Sequence, residues 1–226
     1  MIGPRVLFLH GQPGRGSDFA VARSWVRCRS VSVSAIAPDR PGWGGGDGPP
    51  LDIAGNAAWA SQFLAPETVV VGYSFGAAIA AAIAVEYPRL VAGLVLVAPA
   101  ATQSSLLAVD YLLALNLVGR ALQGPFGKAW GKSSKLGGYR RDGASFHVEQ
   151  RHMVAELRGV EGRLREIRAR TSVIYGMKDR VVPPRAVCDL VNLVPQSRLI
   201  LLPGHGHRLL ATAPAVIGGA VAEILG

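Results

Sequence analysis

The segment GYSFG, with Ser74 at its centre, is the part of the chain best suited to covalent chemistry. It joins an apolar run, VVVGY (69–73), to an alanine-rich helical stretch that begins directly after the serine. A serine hydroxyl is a weak nucleophile until a neighbouring base takes its proton. The G-x-S-x-G spacing at a strand-to-helix turn makes the hydroxyl project from the sheet, and Gly72 and Gly76 must lack Cβ atoms so that strand and helix can come close. We therefore predict that Ser74 is a nucleophile, the alternative being an ordinary turn that contains serine.

Two histidines near the end of the chain, in GHGHRLL, are candidates for the base. His205 and His207 are separated by one glycine. A pair this close could also bind a metal, but a metal site needs further ligands and none cluster nearby in the sequence. A histidine that serves a serine also needs a carboxylate to fix its tautomer and stabilise its cation. Spacing alone does not separate the two histidines, because the register of the loop is not visible in the sequence.

The elements that must position these residues follow a regular order. Short apolar runs alternate with longer helical patterns, and the runs are continuous, as expected for strands covered on both faces. This order predicts an α/β fold with a mostly parallel six-stranded sheet and helices on both faces. The predicted strands are 6–10, 31–37, 68–73, 93–98, 171–175 and 197–202, and the predicted helices lie at about 18–27, 53–64, 75–87, 184–194 and 213–225. Parallel strands bring their carboxyl ends to one edge of the sheet, where sites form.

One interval interrupts this alternation. Residues 101–168 are longer than a crossover between parallel strands requires, so we predict a small helical cap inserted in a core formed by 1–100 and 169–226. The stretch 104–122 is apolar nearly all round, so as a helix it should bury both sides, against the sheet and a substrate. A second helical segment is expected at about 145–168. A longer structural crossover and a dimer contact are the alternatives.

Composition narrows the classes of protein. Half of the 226 residues are hydrophobic and 17% are charged, which is enough for a large core. The net charge is +9, but basic residues are spread along the chain and mixed with acidic ones, and no nucleic-acid-binding module is present. The two cysteines, Cys28 and Cys188, form no metal-ligand spacing and are expected to be free, mostly buried thiols. No segment predicts a signal peptide or a spanning helix, so we expect a cytoplasmic protein without stable membrane insertion.

Five segments resemble the motifs of the α/β-hydrolase family, and they occur in the family's order. They are HGQPG (10–14), PDRPGWGGGD (38–47), GYSFG (72–76), GMKDRVVP (176–183) and GHGHRLLATAP (204–214). Five motifs in order are much more specific than any one alone. The resemblance covers most of the chain, but the predicted cap matches no family that we can name. Most members begin with an antiparallel hairpin before the His-Gly strand, whereas the first predicted strand here is the His-Gly strand itself. We therefore expect a trimmed sheet whose exposed edge could serve association into a homo-oligomer.

The resemblance implies the remaining site residues. In this fold the order along the chain is serine, acid, histidine, which is met by Ser74, Asp179 and His207, with His205 in a variable position of the loop. Asp39 belongs to a tight early loop and more readily caps a turn. Two backbone N–H groups should bind the oxyanion. One belongs to Phe75 and the other to Gln12, because Pro13 has no N–H.

These residues together predict a serine hydrolase. Its substrate would be a carboxylic ester or thioester of small to medium size, cleaved through an acyl-enzyme intermediate without a cofactor or a metal. The same triad in this fold can also serve carbon–carbon bond cleavage, a lyase or a cyclase, and the fold can act as a ligand receptor. The expected partner is a small-molecule substrate rather than a nucleic acid. Neither the substrate nor the choice among these activities follows from the sequence.

Overall fold

The computed structural model describes residues 5–29, 33–115 and 139–226. Its strands are β1 (Arg5–Leu9), β2 (Ser34–Ile36), β3 (Thr68–Tyr73), β4 (Val91–Val97), β5 (Arg170–Gly176) and β6 (Ser197–Leu202). Its helices are α1 (Ala20–Arg29), α2 (Ile53–Ser61), α3 (Phe75–Glu86), α4 (Ala108–Ala114), α5 (Tyr139–Arg163), α6 (Pro184–Leu193), α7 (Leu209–Thr212) and α8 (Pro214–Leu225). Short 3-10 turns lie at Gly16–Phe19, Gln103–Ser105 and Leu164–Glu166.

The strands form one six-stranded parallel sheet in the order β2-β1-β3-β4-β5-β6. The predicted fold class is confirmed. Strand β1 has β2 on one side and β3 on the other, so the direction in which strands are added reverses there. Such a reversal opens a crevice at the carboxyl ends of the two strands. Leu9 pairs with Gly72, so β1 and β3 end almost level and their following loops lie side by side.

Both faces of the sheet are covered by helices, as the continuous apolar runs predict. In β1 the side chains of Val6 and Phe8 join the cluster beneath α1, α7 and α8, whereas Leu7 and Leu9 join the cluster beneath α2, α3, α5 and α6. Successive side chains of a strand point to opposite faces. A strand buried on both faces must therefore be apolar at every position, which is why these runs do not alternate.

The insertion differs from its prediction. Of the helix predicted over 104–122, residues 116–122 lie outside the described residues, and the part that is described begins only at Ala108 and ends at Ala114. The predicted burial of both sides is wrong for Val109 and Leu112, which are each 50% exposed. The backbone is extended at Leu107 and again at Leu115, and Asp110 caps the start by accepting the Leu107 N–H. These two extended residues limit α4 to two turns.

The second predicted helix of the insertion is present and longer than expected. Helix α5 begins at Tyr139 and packs against α2, α3 and α4. Its buried side chains Met153 and Leu157 belong to the core cluster of the sheet face, so α5 is anchored on the core.

The expectation of buried thiols is wrong, since Cys28 and Cys188 are both exposed and free. None of the helices within the described ranges combines the length and apolarity that a membrane span requires.

Candidate active site

Ser74 lies at the joint between β3 and α3, in a backbone conformation that serine rarely adopts. Its φ is 53° and its ψ is −119°. Non-glycine residues at positive φ are uncommon and strained, and they persist only where the surrounding structure holds them. Here the Ser74 N–H donates to the Val97 carbonyl at 2.9 Å and the Ser74 carbonyl accepts from the Ala77 N–H at 2.9 Å. The strained turn places the hydroxyl beside the carboxyl ends of the strands.

The steric requirement for the two glycines is confirmed. A Cβ atom at Gly72 would lie 2.4 Å from the Gly76 carbonyl oxygen, and one at Gly76 would lie 2.2 Å from the Leu9 carbonyl oxygen. Both distances are far inside van der Waals contact, and the opposing atoms are backbone, which has little freedom to move. Glycine at these positions therefore lets α3 approach β3 and β1 closely enough to form the turn.

Gly76→Ala is expected to lower the free energy of unfolding by about 3 kcal/mol, because the new methyl group must displace the β1 backbone. Urea denaturation would measure the loss. Gly159→Ala is the matched control. A Cβ at Gly159, in the C-terminal part of α5, meets nothing within 4 Å, so alanine there should stabilise the protein by about 0.5–1 kcal/mol. Equal stability of the two variants would contradict the steric argument.

Ser74, His207 and Asp179 form a continuous hydrogen-bonded series. The Ser74 Oγ lies 3.1 Å from Nε2 of His207, and Nδ1 of His207 lies 2.8 Å from Oδ2 of Asp179. A carboxylate oxygen can only accept, so Nδ1 carries the hydrogen and Nε2 presents its lone pair to the serine. This is the tautomer that a histidine needs in order to take a proton from a hydroxyl.

Asp179 is held by its own loop. It follows β5, and its side chain is fully buried. Its second oxygen, Oδ1, accepts the N–H groups of Val181 at 2.8 Å and Val182 at 3.0 Å. With one oxygen committed to two backbone donors, the other is left to His207. The carboxylate is therefore oriented before any substrate binds.

The structure separates the two histidines that the sequence left together. The His205 ring is hydrogen-bonded to the exposed Thr212 hydroxyl at 3.0 Å, whereas the His207 ring faces Ser74. Tyr73 contacts His207 in two ways. The centres of the two rings lie 5.3 Å apart, and the Tyr73 hydroxyl donates to the His207 carbonyl at 3.2 Å. Burial and the nearby charge of Asp179 raise the pKa of the Tyr73 hydroxyl, so it remains a donor.

The two predicted oxyanion donors lie just after β1 and β3, since Gln12 is in the loop after β1 and Phe75 is the first residue of α3. Gly11, just before Gln12, is so close to the nucleophile that a Cβ there would lie 3.0 Å from the Ser74 Cβ. Within the described residues, no acceptor is hydrogen-bonded to the N–H of Gln12 or of Phe75. The Gln12 side chain is engaged elsewhere, since its amide donates to Oε1 of Gln150 at 2.8 Å. Both backbone N–H groups are thus available for a ligand.

His10, the first residue of the same loop, is a buried neutral imidazole. The Arg40 backbone N–H can only donate, and it lies 3.0 Å from Nε2 of His10, so the hydrogen resides on Nδ1 and is donated to the Gly11 carbonyl at 2.8 Å. Burial, and then the positive charge of Arg40, hold the pKa of His10 well below its usual range. This histidine therefore shapes the loop through its hydrogen bonds to Arg40 and Gly11.

The lowered pKa of His10 predicts a loss of stability in mild acid. Between the ordinary pKa of about 6.5 and the lower folded value, the unfolded chain binds a proton that the folded protein does not. Stability is therefore fully present above pH 6.5 and declines as the pH falls below it, by up to about 1.4 kcal/mol per pH unit. Unfolding free energies of the wild type should fall more steeply between pH 6.5 and 5 than those of His10→Asn. Parallel slopes would contradict this assignment.

Sequence reasoning missed two residues beside the site, Arg40 and Glu149. Both side chains are fully buried and form an ion pair that links the loop after β2 to helix α5. Charged residues on an Arg/Glu-rich helix are usually solvated, so the pattern alone favoured an exposed pair. His147, on the same helix, is also buried, and its ring is hydrogen-bonded to the Leu113 carbonyl at 3.1 Å.

A second cluster, away from the serine, could in principle hold a cation. The ligating atoms of Asp52, His152 and Glu156 lie within 4.8 Å of one another. Asp52 caps α2 by accepting the Gly55 N–H, and Glu156 accepts the Ile53 N–H and is hydrogen-bonded to His152. These contacts explain the cluster as the attachment of α5 to the start of α2. We assign it no catalytic role.

Comparison with known proteins agrees with the parallel sheet and its flanking helices. The profile described as the alpha/beta hydrolase family matches residues 6–218. The chain therefore belongs to the α/β-hydrolase family. A comparison with curated proteins finds no match.

Solved structures share the fold at low sequence identity. A monoacylglycerol lipase of Paleococcus ferrophilus has a TM-score of 0.77 at 17% identity, covering 98% of this chain and 93% of its own. An esterase of Exiguobacterium antarcticum has a TM-score of 0.75 at 17% identity, covering 99% and 92%. A meta-cleavage product hydrolase of Pseudomonas fluorescens IP01 has a TM-score of 0.70 at 21% identity, covering 98% and 90%. These likenesses concern the fold.

Proposed function

We propose that the protein is a serine hydrolase that cleaves a carboxylic ester or thioester of a small to medium substrate through an acyl-enzyme intermediate. The observation that carries the proposal is the hydrogen-bonded series from Asp179 through His207 to Ser74. Three residues from distant parts of the chain meet in the order and tautomer that nucleophilic catalysis needs. Membership of the α/β-hydrolase family supports hydrolysis as the reaction class.

In the acylation step, Oγ of Ser74 attacks the carbonyl carbon while Nε2 of His207 takes the hydroxyl proton. The developing imidazolium is stabilised by the carboxylate of Asp179, which keeps its negative charge. The carbonyl oxygen becomes an oxyanion, which the N–H groups of Gln12 and Phe75 are placed to bind, and the N-terminus of α3 adds favourable electrostatics. His207 then passes its proton to the leaving alcohol or thiol, and the acyl group stays on Ser74.

Deacylation repeats the sequence with water. His207 removes a proton from a water molecule, the resulting hydroxide attacks the acyl carbon, and the proton returns to Oγ of Ser74 as the acid departs. Each step uses only side chains and backbone groups of the chain, so this mechanism requires no cofactor and no metal.

A fluorophosphonate and an ester series test the proposal together. The fluorophosphonate should add one covalent label at Ser74, located by peptide mass spectrometry. p-Nitrophenyl esters from acetate to decanoate should be hydrolysed, and the preferred chain length would measure the acyl pocket. A protein that takes the label but hydrolyses no ester or thioester would favour the second candidate, a carbon–carbon bond hydrolase or a lyase with the same triad. The lyase would act without consuming water. Absence of both label and turnover, with tight binding of a metabolite, would favour a receptor.

A further inference from the structure

Helix α5 reaches the predicted oxyanion loop through one buried ion pair. The Glu149 carboxylate is hydrogen-bonded to both terminal nitrogens of the Arg40 guanidinium, and both side chains are completely buried. Nη1 of Arg40 also donates to Oδ1 of Asn56 at 3.2 Å, and the other guanidinium nitrogens donate to the loop after β1 as well. Its Nε donates to the His10 carbonyl at 3.1 Å, and Nη2 donates to the Gly11 carbonyl at 3.1 Å. Arg40 thus connects the insertion to two successive carbonyls of that loop.

The second of these carbonyls belongs to the same peptide group as a proposed oxyanion donor. The carbon and oxygen of Gly11 and the nitrogen and hydrogen of Gln12 lie in one plane, with C=O and N–H pointing in opposite directions in a trans peptide. The Gly11 carbonyl accepts from Nη2 of Arg40 at 3.1 Å and also from Nδ1 of His10 at 2.8 Å. Two hydrogen bonds therefore fix the direction of the Gln12 N–H, which must point away from Arg40.

Arg40 also lies against the second proposed donor. Its guanidinium carbon is 5.2 Å from the centre of the Phe75 ring, in the range of a cation–π contact. The Arg40 guanidinium thus contacts Gly11, which precedes one predicted donor, and the side chain of Phe75, which is the other. A guanidinium suits this role because its nitrogens are arranged in a rigid fork, which a flexible ammonium cannot reproduce.

We propose that Glu149 is a positioning residue for oxyanion binding, acting through Arg40 on the Gly11–Gln12 peptide group. Glu149 fixes the guanidinium in the orientation that serves the two carbonyls, and without its carboxylate a buried cation would be left to find other partners. The insertion is then part of the catalytic apparatus, not only a cover for the substrate. This inference rests on the proposed function, since it assigns the Gln12 N–H to the oxyanion.

Glu149→Gln tests the proposal with Glu161→Gln as its control. Glu161 lies on the same helix and its carboxylate accepts the Gln103 N–H at 2.6 Å, so the control removes the same charge from α5 at a distance from the loop. A misplaced oxyanion donor weakens binding of the transition state and not of the substrate. The concentration of active sites is counted by titration with the fluorophosphonate, and kcat is expressed per titrated site. For Glu149→Gln we expect this kcat to fall about 10- to 100-fold with KM nearly unchanged. The control should retain wild-type kcat.

This readout separates positioning from stability. A purely structural role of Glu149 would lower the melting temperature and the fraction of protein that titrates, but each titrated site would keep its wild-type kcat. That result would overturn the proposal. The catalytic hydrogen bonds of His207 are made to Asp179 and Ser74 and not to the ion pair, so Glu149→Gln should leave them in place.

A second variant covers the case in which an unpaired buried Arg40 prevents folding. Arg40→Met combined with Glu149→Leu replaces the pair by apolar side chains, which is often neutral or stabilising. It removes every Arg40 side-chain hydrogen bond to the loop, so its kcat per site should fall at least as far as that of Glu149→Gln. Wild-type kcat in the folded double variant would refute positioning. By contrast, a wild type that takes no label and hydrolyses no ester would refute the proposed function itself.

Discussion

Ser74→Ala should reduce kcat/KM for the best p-nitrophenyl ester at least about 10⁴-fold, leaving at most the background from binding and oxyanion stabilisation. The hydroxyl is the only group of Ser74 that faces His207, and alanine removes it without changing the backbone. The strained φ of 53° is tolerated by alanine about as poorly as by serine, so the melting temperature should change little. Steady-state kinetics and a thermal melt on one preparation would measure both.

The covalent label gives an independent readout of the same variant. Ser74→Ala should take no fluorophosphonate. Ser105→Ala is the matched control, because Ser105 is also buried and its hydroxyl is hydrogen-bonded to the Thr102 carbonyl, at a distance from His207. The control should keep its label and its activity. Normal turnover in Ser74→Ala would remove the serine from the mechanism and with it the proposed acyl-enzyme.

Asp179→Asn is expected to lower kcat about 10⁴-fold, although it changes a single atom. The backbone N–H groups of Val181 and Val182 require an acceptor at the Oδ1 position. The asparagine oxygen must therefore occupy that position, and its NH2 group must face Nδ1 of His207. An NH2 group can only donate, so Nδ1 becomes the acceptor and the hydrogen moves to Nε2. A protonated Nε2 cannot take the proton of Ser74.

Asp39→Asn is the control for this substitution. The Asp39 carboxylate also accepts two backbone N–H groups, those of Gly16 at 2.7 Å and Gly45 at 2.8 Å, but it is not bonded to either site histidine. Its variant should lose some stability and keep kcat per titrated site. Histidine NMR would report the tautomer of His207 directly. Full activity of Asp179→Asn would show that another acid, or none, orients the base.

The ion pair between Arg40 and Glu149 also bears on how the insertion works. A cap that opens as a rigid body would have to separate two buried opposite charges, each of which is costly to leave without a partner. Helix α5 in addition buries Met153 and Leu157 in the core of the sheet face. The base of the insertion is therefore fixed on the predicted oxyanion loop.

The sequence determined the sheet and predicted which residues could do chemistry at the ends of its strands. Short continuous apolar runs bounded by turn residues favour strands buried on both faces, so the six parallel strands were predicted from local pattern, whereas their order in the sheet was seen only in the structure. Ser74 was identified because its turn imposes a local steric rule, glycine two residues before and after it. Asp179 and His207 then followed from the resemblance to the α/β hydrolases and from the position of each after a strand.

Tertiary structure decided what depends on partners distant in the chain. His205 and His207 differ only in which side chain faces Ser74, and that depends on the register of a loop packed against β5. The burial of Arg40 and Glu149 depends on α5 docking onto a loop more than a hundred residues earlier, and a helical pattern cannot distinguish a paired buried charge from a solvated one. Helix α4 ends at Ala114 because of its flanking backbone conformation, although its apolar side chains would support a longer one. Local rules specify strands and turns because their causes lie within a few residues, whereas pairing across the fold is determined only when the whole chain is packed.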